Sequence, residues 1–254
     1  MINFFRKIRQ KLLSENPPNG RAGKFSKYIL YAVGEIVLVV LGILIALQIN
    51  NWNEFNKDRK QERKVLTELL TSLEHNYNRM IFDSINRSNW KKSSEVIINH
   101  LEKKGKYSDT LNKHFQDARK PGTNLSLSYA GYEGLKNVGY NIIISDTLRK
   151  NIIELFELTY KDLLEEMEYF ESFQPDRQSH IDRLFSYEHK TFDPNNPFNV
   201  PLIPNDYESL TNDPIYLPMI ISVTVQRSII SVMLHHNLKE TAKVIELIND
   251  KLKQ

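Results

Sequence analysis

Seven histidines, His75, His100, His114, His180, His189, His235 and His236, are the residues of this 254-residue chain best suited to hold a metal or move a proton. Their spacing serves neither role. None has a glutamate three positions before it, so the Glu-x-x-His pairing that puts both ligands on one helix face is missing. His-Glu-x-x-His is missing too, and the adjacent His235 and His236 point to different faces of a helix. Surface or hydrogen-bonded histidines are the expectation. The chain has no cysteine, which excludes disulfides, thiolate zinc sites and thiol nucleophiles. Gly-x-Gly-x-x-Gly, Gly-x-x-x-x-Gly-Lys and Gly-x-Ser-x-Gly are all absent. Glu165, Glu166, Glu168 and Glu171 crowd one predicted helix, where a solvated face explains them, although a convergent carboxylate pair stays open. No enzyme, metal or cofactor is therefore expected.

Two polar residues stand where polarity costs most. Arg227 lies in the apolar run IISVTVQRSIISVML and, if buried, needs a partner; a structural ion pair with a carboxylate is expected, with a ligand contact as the alternative. Glu35 lies near the start of GEIVLVVLGILIALQINNWNE. From Tyr28 to Ile49 only Glu35 and Gln48 are strongly polar, and 22 helical residues rise about 33 Å, enough for a hydrocarbon core. Tyr28 and Tyr31 at one end and Trp52 at the other suit the two membrane interfaces. A charge at the bilayer centre costs at least ~2.5–3.5 kcal/mol, less near an end where it can snorkel. On a helix Glu35 aligns with Val39, Gly42 and Ala46, a seam whose small residues would let a second helix approach. Either Glu35 meets a donor across that seam or it snorkels. Gly-x-x-x-Gly itself is absent.

The elements around this run set its orientation. Residues 1–27 carry seven basic side chains against the single acid Glu15, so the excess charge of the chain sits there. The other flank has five, Lys57, Arg59, Lys60, Arg63 and Lys64. The bias places the N-terminus in the cytoplasm and the bulk of the chain outside it. In MINFFRKIRQKLL, Ile2, Phe4, Phe5, Ile8, Leu12 and Leu13 share one helix face and Arg6, Lys7, Gln10 and Lys11 the other, a pattern that suits an anionic inner leaflet. A basic segment beside a span speaks for lipid and against nucleic acid. The run is too long and starts too late for a cleaved signal. The division expected is a basic amphipathic segment (1–27), a transmembrane helix (28–51) and an extracytoplasmic helical domain (52–254).

The order Gly34-Glu35-Ile36, Leu38-Val39-Val40 and Gly42 through Glu54 resembles a family of small single-span membrane proteins of unknown function, widespread in Bacteroidota. Phe4 through Arg9, Phe25 through Tyr28, and a later block of Tyr132 through Lys136, Gly139 and Leu148-Arg149 fit it as well. Pro17–Gly23 departs from it as an insertion. The resemblance implies a Gram-negative inner membrane with the C-terminal domain in the periplasm. It supplies no activity.

Beyond the span, the fold class expected is all-α, an antiparallel helical bundle. After Trp52 there is no glycine before Gly105 and no proline before Pro121, and Val65, Leu66, Leu69, Leu70, Leu73, Tyr77, Met80, Ile81 and Ile85 keep helical spacing. Helices are predicted from the membrane to about Asn86, over about 88–103, from Ser108 to Ala118, over 129–138 with a stop at Gly139, from a Ser145 cap to about Ser172, from Pro175 to about Lys190, and over about 215–252 with a bend near His235. Four prolines make 192–204 an irregular connection. Tyr129–Tyr140, with three tyrosines and three glycines, is expected to be a packed junction more readily than a binding edge. The function expected is a non-enzymatic interaction or scaffold subunit of an envelope complex, with a span that packs on a second copy or another membrane helix. The alternative is a ligand-sensing bundle that signals through its span.

Overall fold

The computed structural model describes residues 21–120, 122, 124–188, 194 and 200–253. The amphipathic start anticipated at 1–13 lies outside them. The chain divides into two units, 1–60 and 61–254. Among the described residues the fold is all-α apart from one pair of three-residue strands.

The first element, α1, is one helix of 82 residues, Arg21–Glu102. The break expected near residue 87 does not occur. Nothing there disrupts a helix, and Arg87 turns inward to donate to the Asp83 carboxylate one turn back, at 2.6 Å. The helix stops where Lys104 takes a left-handed backbone (φ 50°) and the Gly105 N–H closes on the His100 carbonyl at 3.0 Å.

The second unit is built on the later part of α1. Its inward stripe is Glu62, Leu66, Leu69, Leu73, Asn76, Met80, Asp83, Arg87, Trp90, Ser94, Ile97 and Leu101, at alternating steps of four and three. After α1 come α2 (Leu111–Arg119), α3 (Ala130–Val138), a 3₁₀ turn (Tyr140–Ile142), and α4 (Asp146–Glu154). Ser145 caps α4 as expected, accepting from the Leu148 N–H. Gly139 ends α3 at φ 98°. A π-helical turn, Leu155–Thr159, joins α4 to α5 (Tyr160–Glu171). It widens the step between the buried Leu155 and Tyr160 to five residues, which keeps both side chains on the core.

The helix predicted to reach Lys190 is α6, Gln174–Leu184, and it ends earlier. Phe185–Tyr187 (β1) pairs antiparallel with Leu202–Pro204 (β2), with Phe185 opposite Pro204 and Tyr187 opposite Leu202. The end of the stretch expected to be irregular is thus a strand. Asn205 holds the helix end, its N–H on the Leu184 carbonyl and its side-chain amide on that of Arg183, while Phe185 and Leu202 turn into the core. A short α7 (Tyr207–Thr211) leads to α8 (Tyr216–Lys253), one helix through His235 and Asn237. The β-branched run of 220–234 is helical within it.

Two apolar clusters share α1 and α8. One joins Val65–Met80 of α1 with α3, α4, the π turn, α5 and Ile230–Ile248 of α8. The other joins Ile97 and Leu101 with α2, α6, both strands, α7 and the start of α8. The clusters occur in opposite order along the two helices, so α1 and α8 run antiparallel. The α4–α5 rod runs with α1. Its start lies at Glu62, which accepts from the Ile144 N–H at 3.0 Å, and beyond its end Arg177 meets Gln226 of α8 at 2.7 Å. The return of the chain through α2 and the 124–128 stretch makes this parallel pairing necessary.

Candidate functional site

In the first unit, Glu35, Val39, Gly42 and Ala46 fall on one face of α1, and all four are exposed. A carbon built on Gly42 meets nothing within 4 Å. Between residues 28 and 60 every described side chain is exposed except Tyr31, Asn56 and Arg59, which are half-buried. Tyr28 and Trp52 are 75% and 64% exposed. By length and composition this stretch qualifies to cross a membrane. Each large apolar side chain left in water forfeits about 1.5–3 kcal/mol, so a run of this size calls for lipid or another helix around it. By length and composition α8 qualifies as well, but its inward stripe lies in the two cores of the second unit.

Arg227 is 2% exposed. Among the described residues no carboxylate stands within ion-pair distance of it, which corrects the expectation of an ion pair. One terminal nitrogen donates to the Trp90 carbonyl (3.1 Å) and the Ser94 hydroxyl (2.6 Å) of α1. The other donates to the carbonyls of Asp117, Ala118 and Lys120 (3.3, 2.9 and 2.5 Å). They lie at the C-terminal end of α2, where a helix leaves carbonyls unpaired and its dipole is negative, and the Asp117 carbonyl also accepts from the Lys120 N–H; α2 thus supplies with its end what a carboxylate was expected to supply. Burial, with Arg87 close by, pulls the guanidinium down to about 9, so it stays charged at neutral pH. The only local sign of this clasp is that Trp90 and Ser94 fall on the inward stripe of α1.

The buried carboxylates are committed to structural partners. Glu62 holds the Ile144 N–H, Asp83 holds Arg87, and Asp117 accepts from Lys113 (3.0 Å) and Lys120 (2.8 Å). Burial alone would raise the Asp117 carboxyl, but the two lysines hold it below its usual value. Glu165, Glu166, Glu168 and Glu171 lie exposed or half-exposed along α5 and converge on nothing. Among the described residues no three His, Asp or Glu side chains stand close enough to hold a metal.

Three of the described histidines have structural partners, while His75, His235 and His236 lie exposed. His114 Nδ1 lies 3.1 Å from the Ser93 hydroxyl, and His100 Nε2 lies 3.0 Å from the Lys106 carbonyl. His180 Nδ1 faces Arg183, which is always a donor, at 3.3 Å; the ring therefore accepts there and donates from Nε2 to Asp213 at 2.9 Å. Asp213 also accepts from the N–H groups of Ile215 and Tyr216 at the start of α8. His189 lies outside the described residues.

The tyrosine–glycine segment is a packed junction. A carbon added at Gly131 would stand 2.6 Å from the Leu69 Cα, so α3 lies directly on the backbone of α1. The Gly131 N–H donates to the Ser72 hydroxyl there. Tyr132 stacks on Phe156 (4.4 Å between ring centres) and its hydroxyl meets Tyr140 and Glu157 at 2.9 and 2.8 Å. Burial and these two contacts push the Tyr132 hydroxyl well above its ordinary value, which makes it a fixed donor.

A family of unknown function, DUF6090, matches residues 35–187. The chain belongs to that family. The matched segment covers more than half of the chain and runs from Glu35 through the apolar helix to the end of β1. No curated protein and no solved structure matches this DUF6090 chain.

Proposed function

We propose that this DUF6090 protein is a non-enzymatic, membrane-anchored interaction subunit. Its apolar helix crosses the bacterial inner membrane with the N-terminus in the cytoplasm and the helical domain in the periplasm. It assembles with a second copy or another membrane helix through Glu35, Val39, Gly42 and Ala46. The observation that carries this reading is the exposed apolar stretch of α1 with an acid and two small residues on one face. Such a face admits close backbone approach, and a carboxylate within it gains from a donor on the partner. The commitment of the buried carboxylates to structural partners supports an interaction role over acid–base chemistry.

The test is crosslinking and co-purification from native membranes of wild type, Glu35→Gln and Gly42→Leu. The wild-type chain should capture a partner, and both variants should lose most of it while staying in the membrane fraction. Equal capture by all three would refute the seam.

A further inference from the structure

We propose that the buried arginine cluster between α1, α2 and α8 is a binding site for a small oxyanion of the phosphate or carboxylate type. Arg87 and Arg227 are 4% and 2% exposed. Among the described residues each keeps one buried nitrogen with no hydrogen-bond partner, Nη2 of Arg87 and Nε of Arg227. A buried, charged N–H without an acceptor loses its hydration and gains nothing in return. Both guanidinium groups pack against the same short stretch of chain. Arg227 donates to the Lys120 carbonyl, and the carbon that Gly122 lacks would stand 2.8 Å from Arg87 Nη2. Glycine thus leaves that nitrogen uncovered by any side chain at this position.

The local charge balance points the same way. Arg87, Lys113, Lys120, Arg177 and Arg227 gather here against Asp83 and Asp117, and both acids already hold cations of the group. Arg87 and Arg177 each act on Arg227 to disfavour its positive charge. An oxyanion supplies both the acceptors and the charge that are missing, and guanidinium groups match its geometry with paired donors. Arg177 is half-buried beside Gln226 and Phe173 and forms the outer member of the cluster. This site goes beyond the interaction role of the span and is independent of it.

The test is thermal unfolding of the full chain in detergent at pH 7, in sodium phosphate and in sodium acetate, each against sodium chloride at equal ionic strength. At about ten times the dissociation constant, a bound anion raises Tm by about 3–6 °C over chloride. A response to phosphate alone assigns a tetrahedral, multiply charged ligand; a response to both assigns the carboxylate type as well. Arg87→Lys and Gly122→Val should each weaken binding by about tenfold or more. Arg177→Gln, at a half-exposed position that leaves the core intact, should weaken it several-fold. No shift beyond chloride in wild type, or a shift undiminished in Arg177→Gln and in whichever of the other variants folds, overturns the site.

Discussion

Arg227 joins α1 to the end of α2 by filling five acceptors from one guanidinium. Replacing it with methionine keeps the volume and takes this donor from the Ala118 and Lys120 carbonyls at the end of α2, while the Trp90 carbonyl keeps the Ser94 hydroxyl and the Asp117 carbonyl keeps the Lys120 N–H. Arg227→Met should therefore cost about 3 kcal/mol or more in chemical denaturation. Arg227→Lys should recover only part of it, since an ammonium has no fork to reach both helices. Asp213 does similar work with the opposite charge. Burial acts to raise its carboxyl, but His180 and the N–H groups of Tyr216 and Ile215 outweigh it, so the folded-state pKa lies below the unfolded value. A depressed carboxylate contributes stability above its unfolded pKa and loses that contribution as pH falls through the folded one. Asp213→Ala should cost about 1–2 kcal/mol at pH 7. Its gap to wild type, followed by urea unfolding at several pH values, should close as pH drops below about 4.

At the scale of elements, the α3–α1 contact rests on a single missing side chain. Gly131→Val must push α3 off the Leu69 backbone and disturb the Ser72 contact; a loss of about 2–3 kcal/mol in thermal or urea unfolding is expected. A value near zero would place α3 elsewhere. The sequence made most elements legible, because strong helical spacing, the Ser145 cap and the Gly139 stop are local signals. It hid what depends on distant partners. The alternation of four and three along α1 continues through Asn76, Asp83, Arg87 and Ser94, and α8 keeps it through Arg227, Asn237 and Thr241. Polar residues on those stripes look like interruptions until their partners are seen: Asn76 meets Ser128, Ser94 meets Arg227 of α8, and Thr241 meets Tyr160 of α5. The strand pair is equally hidden, since strands of three residues are too short to show a period. The π turn left only a five-residue step between apolar positions.

The molecule divides into a unit whose described apolar side chains lie exposed apart from the half-buried Tyr31 and a unit with two apolar cores. The cysteine-free sequence makes topology directly measurable. Single cysteines at Ser14 and Ser145 should react with a membrane-impermeant maleimide from opposite sides, Ser145→Cys in intact spheroplasts and Ser14→Cys only after lysis. The reverse pattern would invert the proposed orientation.

The central claim is that one face of the membrane helix meets another protein. The most direct test places a photo-crosslinking residue singly at each position from 35 to 47 and scores protein adducts in native membranes. The account predicts adduct maxima at 35, 39, 42 and 46 with minima between them. Even labelling around the helix, or lipid adducts alone, would contradict it and leave the helix as an anchor.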